Sequence, residues 1–329
     1  MSKLMLKPIK AQRGNLCPMR DAYLKDPHVQ GFVRYLSEVI KGAIPIGLTV
    51  GFSRIKLPAD FVQRFGGGEI KGKGAEAVYE LKGQTLEAFF RMYWWDRKYY
   101  GANAEILESV GAKIRAAIEG EYTADGHAFA LEACHEVMKW GFGERTRAYR
   151  ANMDWAAAMG SELVPVLRLG RESLTGECPK VEVFGRSSDG EPKKPRMNAG
   201  WTKYYALALP DFIIYDGRVG AALGFLVRRY LESVEPLHQS LILPESLSFL
   251  WASGQGTNLR NPSSHHYKFP RLLHTDDGMR GWARVNLQAN WVLAAARHLA
   301  QTDWLSGADG LRKLEAALFM LGYDFRGAQ

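Results

Sequence analysis

Apolar residues in the second half of this chain recur with the period of an α-helix, and that pattern limits the fold more than any other feature. Val219, Ala222, Leu223, Leu226, Val227 and Tyr230 fall at i, i+3, i+4, i+7, i+8 and i+11, one unbroken stripe over 218–230. Val285, Val292, Ala295, Ala296 and Leu299 nearly repeat it over 283–299. Upstream, three sets keep helical spacing: Leu86, Phe89, Phe90 and Tyr93; Ile106, Val110, Ile114 and Ile118; Ala130, Cys134 and Val137. The last of these runs stops at Trp140-Gly141-Phe142-Gly143. Further helices are expected over 144–159, on a short stretch bearing Lys203, and over about 308–321. Such stripes must be buried against other elements, so the expected class is mainly α.

A smaller β part is expected near the N-terminus. Residues 44–58 are β-branched and interrupted by glycine, which suits one or two strands. Gly66, Gly67, Gly68, Gly72 and Gly74 mark a loop, and no G-K-[ST] follows a strand to make it a phosphate loop. Residues 1–35 read as basic and irregular, punctuated by Pro8, Pro18 and Pro27. The chain thus divides into a basic N-terminal region with short strands, 1–84, and a helical domain, 85–329. Two long surface stretches interrupt the second part, 172–197 (a hairpin or a loop) and 252–281. No repeat of fixed period is present.

Composition narrows the function classes. The longest uncharged apolar run, Ala43 to Phe52, is half a membrane span and contains Pro45 and Gly47. No apolar leader precedes a cleavage site, so a cytoplasmic protein without a membrane partner, acting as a monomer, is expected. Cys17, Cys134 and Cys178 are too few and too far apart for a disulfide framework or an all-cysteine iron–sulfur cluster. The net charge is +8, and residues 1–60 carry ten Lys/Arg against four acids. A polyanion, nucleic acid above all, is the partner such a field favours, with plain solubility as the other reading.

The segment Asn198 to Leu223 holds the most chemistry. A glycine-containing turn leads to the short helix bearing Lys203, then come Pro210-Asp211 and the apolar run Phe212 to Tyr215. Asp216 follows at the mouth of the 218–230 helix. An aspartate there caps the helix and is held rigidly. A desolvated lysine loses its proton and becomes a nucleophile, and a nearby carboxylate supports a developing cationic sugar. Base excision needs both roles.

These residues resemble the catalytic segment of helix-hairpin-helix DNA glycosylases. Ile214-Tyr215-Asp216-Gly217-Arg218-Val219 is similar to the family's (I/V)-x-D-x-x-V around its catalytic aspartate. Thr202-Lys203 resembles the variant found in the archaeal-type subgroup of the 8-oxoguanine glycosylase fold. Trp140-Gly141-Phe142-Gly143, with Arg147 and Arg150 beyond, resembles a second motif of that subgroup. The resemblance implies Lys203 as Schiff-base nucleophile and Asp216 as catalytic carboxylate. It implies double-stranded DNA with a flipped base as partner, and no cofactor. It points to an oxidised purine as substrate; relatives of the fold act on other altered bases, including glucosylated hydroxymethylcytosine in phage defence. One departure stands out: the usual G-x-G-x-K reads Ala199-Gly200-Trp201-Thr202-Lys203 here, with Trp201 in place of the second glycine.

Other residues join the site as expectations. Trp140, Gly200, Trp201, Thr202 and Arg218 are candidates for contact with DNA or the base. The polar stretch 252–281 offers Arg260, Asn261, Ser263, His265, Tyr267 and Lys268, groups that bind phosphates and read base edges. No metal is expected, since His265 and His266 are adjacent and point apart, while His127 and His135 stand eight residues apart. Three readings stay open: a DNA glycosylase, with or without a lyase step; a non-catalytic DNA-binding protein on the same scaffold; and an unrelated helical enzyme in which Lys203 and Asp216 are structural.

Overall fold

The structure is a computed structural model that describes residues 19–120, 123–176, 178–187, 190–234, 242–253 and 259–325. In chain order the elements are α1 (Arg20–Leu24), α2 (Pro27–Lys41), β1 (Leu48–Ser53), α3 (Phe61–Arg64), β2 (Glu69–Lys71), β3 (Val78–Gly83), α4 (Leu86–Arg91), β4 (Trp94–Trp95) and β5 (Lys98–Tyr99). Helices then follow one another: α5 (Tyr100–Glu119), α6 (Ala124–Phe142), α7 (Arg147–Ala158), α8 (Leu163–Ser173), α9 (Trp201–Ala208), α10 (Gly217–Val234), α11 (Asp276–Ala300) and α12 (Gly310–Leu321). The fold is mainly α with a small β part near the N-terminus. The first sheet is antiparallel in the order β1-β3-β2, with Leu48 opposite Gly83 and Phe52 opposite Tyr79. The second is the hairpin β4–β5, whose two turn residues Asp96 and Arg97 take positive φ (46° and 59°).

Three local expectations need correction. Much of the stretch 19–42 is helical, not irregular. Asp26 caps α2 by accepting from the amides of His28 (2.9 Å) and Val29 (3.1 Å), and Pro27 occupies the first helical turn, where its missing N–H costs nothing. Pro27 therefore starts a helix instead of breaking one; Lys3, Lys7, Lys10, Arg13 and Cys17 lie outside the described residues. Helix α11 begins at Asp276, with the Thr275 hydroxyl accepting from the Gly278 amide, so the polar stretch ends before 281. The 172–197 stretch forms no hairpin among its described residues. Val181, Phe184 and Met197 anchor it in the core.

A single apolar core runs from Tyr23 to Phe325 and joins the N-terminal helices and sheet to the helical array. Helix α2 packs on α11, and α4 packs on α12. In the middle, α9 is buried on every side, all eight of its residues included.

Between α9 and α10 the chain has no regular structure; past the exposed Pro210 and Asp211 it crosses the interior from Phe212 to Tyr215 and emerges at Asp216. Backbone polar groups in such a place must find partners, and side chains supply them. The Ile213 amide donates to Asn290 Oδ1 (3.0 Å), the Ile214 amide to Glu315 Oε2 (2.6 Å), and the Tyr215 amide to Thr202 Oγ1 (2.9 Å). Asn286 Nδ2 donates to the Ile213 carbonyl (3.1 Å), Trp282 Nε1 to that of Tyr215 (2.8 Å), and Arg312 Nη2 to that of Phe212 (3.0 Å). Thr202 completes the lattice by donating to Asn286 Oδ1 (2.7 Å). Helices α9, α11 and α12 thus hold one strap, and the strap delivers Asp216. Replacing Thr202 by valine keeps its shape but leaves the Tyr215 amide and Asn286 short of partners. Thr202→Val is expected to lower unfolding free energy by about 2–4 kcal/mol in urea titrations, and Thr202→Ser by under about 1 kcal/mol; equal losses would mean the hydroxyl is not what matters.

Candidate active site

Lys203 projects from the first turn of α9 into the junction with α6. It is 6% exposed. The space for its stem is made by Gly141: a Cβ there would stand 2.7 Å from Lys203 Cδ and 2.9 Å from Cε. Phe142 lies 4.9 Å from the ammonium, and Nζ donates to the Ala199 carbonyl at 2.5 Å. Burial lowers the pKa of Lys203, opposed by the charges of Asp216 and Glu315 and reinforced by that of Arg218. The Trp140-Gly141-Phe142-Gly143 run therefore has a spatial meaning. Gly141 receives the lysine, Phe142 faces its charge, and Gly143 (φ 75°) ends α6.

Asp216 is the N-cap of α10. Its Oδ1 accepts from the amides of Arg218 (2.9 Å) and Val219 (3.1 Å), and it is half-buried. Arg218 sits among three rings, 4.1 Å from the centroid of Phe319, 4.8 Å from Tyr323 and 5.5 Å from Trp95. Burial lowers its pKa while Asp216 supports its charge. The residue as a whole is half-buried. Arg260 donates from Nε to the Tyr323 carbonyl (3.1 Å). Its pKa falls to about 10 through burial and the neighbouring Arg218 charge, against Asp216. Lys203, Asp216, Arg218 and Arg260 thus share one electrostatic neighbourhood.

Glu315 belongs to it as well. This carboxyl is 7% exposed on α12, accepts from the Ile214 amide and pairs with Arg312. Burial pushes its pKa up to about 7; Arg312 and the Ile214 amide pull it down, and Asp216 pushes it further up. Its signal was legible: Leu311, Leu314, Glu315 and Leu318 fall at i, i+3, i+4 and i+7, which puts an acid within an apolar stripe. Trp95 was missed because a two-residue strand leaves no periodic trace. It stands half-buried beside Trp140 (6.2 Å between centroids) and Phe319 (5.7 Å).

Several expected contact residues serve the core instead. Trp201 is fully buried against Trp155 (4.5 Å) and Tyr204 (5.7 Å), so it has no face for DNA. Thr202 is spent on the strap, and Tyr267 is 2% exposed. Gly200 is required by close packing, since a Cβ there would meet Met138 Sδ at 2.7 Å. Its amide and that of Trp201 donate to Asn198 Oδ1 (2.8 and 3.1 Å), so the turn's donors are used inside the protein. Nor is that turn a tight connection between two helices, because α8 ends at Ser173 and α9 starts at Trp201. Trp140 is half-buried, and its indole donates to Asn103 Oδ1 (3.0 Å).

Beyond Arg260 the loop turns back on itself. Asn261 Oδ1 accepts from the Ser263 amide, Ser263 Oγ from the Phe269 amide, and Lys268 Nζ donates to the Ser264 carbonyl. Asn261, His265 and Lys268 are exposed, and none has a bond to Lys203 or Asp216 among the described residues. Cavities of about 820 and 500 Å³ share Leu209, Pro210, Asp211 and Phe212 in their walls, and neither is lined by Lys203 or Asp216. Their size does not make them the site, since the perturbed groups cluster elsewhere. No group of His, Cys, Asp and Glu suited to a metal occurs among the described residues. No helix among them is long and apolar enough to cross a membrane.

Comparison with protein-family models, curated proteins and solved structures gives no match.

Glu315 gives the site a signature in stability. Its value in the fold, about 7, lies above the ordinary 4.5, so folding favours the neutral acid. Stability is then lost as pH rises from about 4.5 through about 7. Glu315→Gln keeps an acceptor for the Ile214 amide and removes that titration. Urea unfolding at pH 5 and pH 8 is expected to show the variant gaining on wild type at the higher pH; a pH-independent difference would refute the assignment.

Proposed function

We propose that the protein is a DNA N-glycosylase acting on an extruded, altered base. The observation that carries this reading is that a buried lysine of lowered pKa lies in the electrostatic field of a helix-capping carboxylate, in a cluster rich in arginine. Lys203 in its neutral form is a nucleophile at a pH where an exposed lysine is not. Its Nζ attacks C1′ of the flipped nucleotide, the C1′–N bond breaks, and the bonding pair leaves with the base. Asp216 faces the positive charge that spreads over C1′ and the ring oxygen. Loss of the amine's proton and opening of the sugar ring then give an imine, from which strand cleavage by elimination can follow. If water attacks instead, Asp216 is positioned to take its proton. The net charge of +8 suits the polyanionic partner.

The second reading is a DNA-binding protein without catalysis. It is favoured by the low exposure of Lys203 and by the internal use of the Gly200 and Trp201 amides. Excision assays separate the two. Duplexes carrying normal, oxidised and glucosylated bases are incubated with wild type, Asp216→Asn and Lys203→Gln. Release of one altered base, reduced about a thousandfold in both variants, is expected, and borohydride should trap a covalent adduct only when Lys203 is present. Binding without release of any base would leave the second reading.

Gly141 offers a more delicate test. Gly141→Ala puts a methyl where the lysine stem runs, while Lys203, Asp216 and every surface charge stay unsubstituted. Excision should fall by about a hundredfold while DNA affinity changes little. Unchanged excision would show that the lysine's seat is not needed.

A further inference from the structure

Partly buried arginines in this molecule mostly end on backbone carbonyls. Arg168 donates to Ile118, Arg229 to Pro45 and Ile46, Arg297 to Leu305 and Gly307, and Arg312 to Ala206 and Phe212. Arg218 departs from the pattern. Its guanidinium has no hydrogen-bond acceptor and no ion pair within 4.0 Å among the described residues. Its backbone amide is fixed on Asp216, so the side chain leaves from a set point on the first turn of α10. Around the head stand Phe319, Tyr323 and Trp95, which accept no in-plane pair of hydrogen bonds.

A half-buried guanidinium whose five N–H groups have no acceptor among the described residues keeps its fork open to water or to a ligand. The surroundings say what kind of group. Half-buried Trp95, Trp140 and Phe319 offer flat apolar faces beside the guanidinium, which suit a planar heterocycle and give a phosphate nothing. The arginine fork matches two acceptors side by side on one edge.

We infer that Arg218 reads the extruded base along an edge with two adjacent acceptors and no intervening N–H. Cytosine-type bases present such an edge at O2 and N3, and guanine-type bases at O6 and N7. Uracil and thymine carry a hydrogen on N3, and 8-oxoguanine carries one on N7, so these edges repel one arm of the fork. The inference rests on the glycosylase reading and narrows its substrate class away from oxidised purines and towards bases that keep the acceptor pair.

Binding tests it without relying on excision. Labelled duplexes that differ only in one central base, placed opposite an abasic position so that it flips freely, are titrated at one salt concentration. The central base is cytosine, guanine, uracil or 8-oxoguanine. Wild type is expected to hold the cytosine or guanine duplex about tenfold more tightly than the other two. Arg218→Lys keeps the charge and loses the fork, so the preference should shrink to under about twofold. Arg218→Gln, measured in parallel with circular dichroism on both variants, prevents a misfolded protein from deciding the outcome. Equal affinity of wild type for all four duplexes would overturn the inference, as would a preference that survives both substitutions. So would a uniform weakening of all four by Arg218→Lys, which would assign the side chain to the DNA backbone. Absence of excision with the preference intact would remove the glycosylase reading alone; excision with no preference would remove only the Arg218 contact.

Discussion

The hydrogen-bonded lattice around residues 212–215 is what the rest of the candidate site depends on. An irregular strand through a protein interior carries amides and carbonyls that cannot be left dry. Here Thr202, Trp282, Asn286, Asn290, Arg312 and Glu315 meet them from three helices. Three of the buried polar side chains, Thr202, Asn286 and Glu315, stand where the backbone has no ladder of its own. They serve geometry before chemistry, because the strap they hold ends at the carboxylate that caps α10.

That arrangement couples position to charge. Glu315 holds the strap by its Ile214 contact, and it also lies in the field of Asp216 and Lys203. Lys203 is raised out of water by α6 and α9 and kept within reach of the carboxylates that offset its burial. The cluster is thus tuned by the same contacts that build it. Its surplus of cations over anions, with Arg218 and Arg260 beside a single capping aspartate, is the feature that most suits an anionic or acceptor-rich ligand.

Much of the helical array could be read from the chain. The stripes at 106–118, 130–137, 218–230 and 283–299 fall wholly on helices, and those at 86–93 and 308–321 on helices that span 86–91 and 310–321, since wide apolar faces leave a periodic trace. Asp216 as an N-cap was equally legible, because capping is local chemistry. What failed was of two kinds. Pro27 and the residues around it read as punctuation because a proline breaks a helix in its interior yet suits its first turn. Trp201, Gly200 and Tyr267 read as contacts for DNA because residue type alone does not say which residues pack into the core. The sequence could suggest that Lys203 and Asp216 belong together, but Glu315 stands about a hundred residues away. Only the packing of α12 against the strap brings it in.

Gly141 carries a consequence for how such a chain can vary. The stem of the lysine at 203 runs through the space that a Cβ at position 141 would take, so a side chain there meets the lysine's stem and not backbone. The two positions, on different helices and sixty-two residues apart, therefore form one heritable unit. Divergent sequences that keep a lysine at the second should keep glycine at the first. Those that replace the lysine by something short are released to take alanine or serine there. Covariation between these two positions would mark which descendants keep the buried amine in this seat.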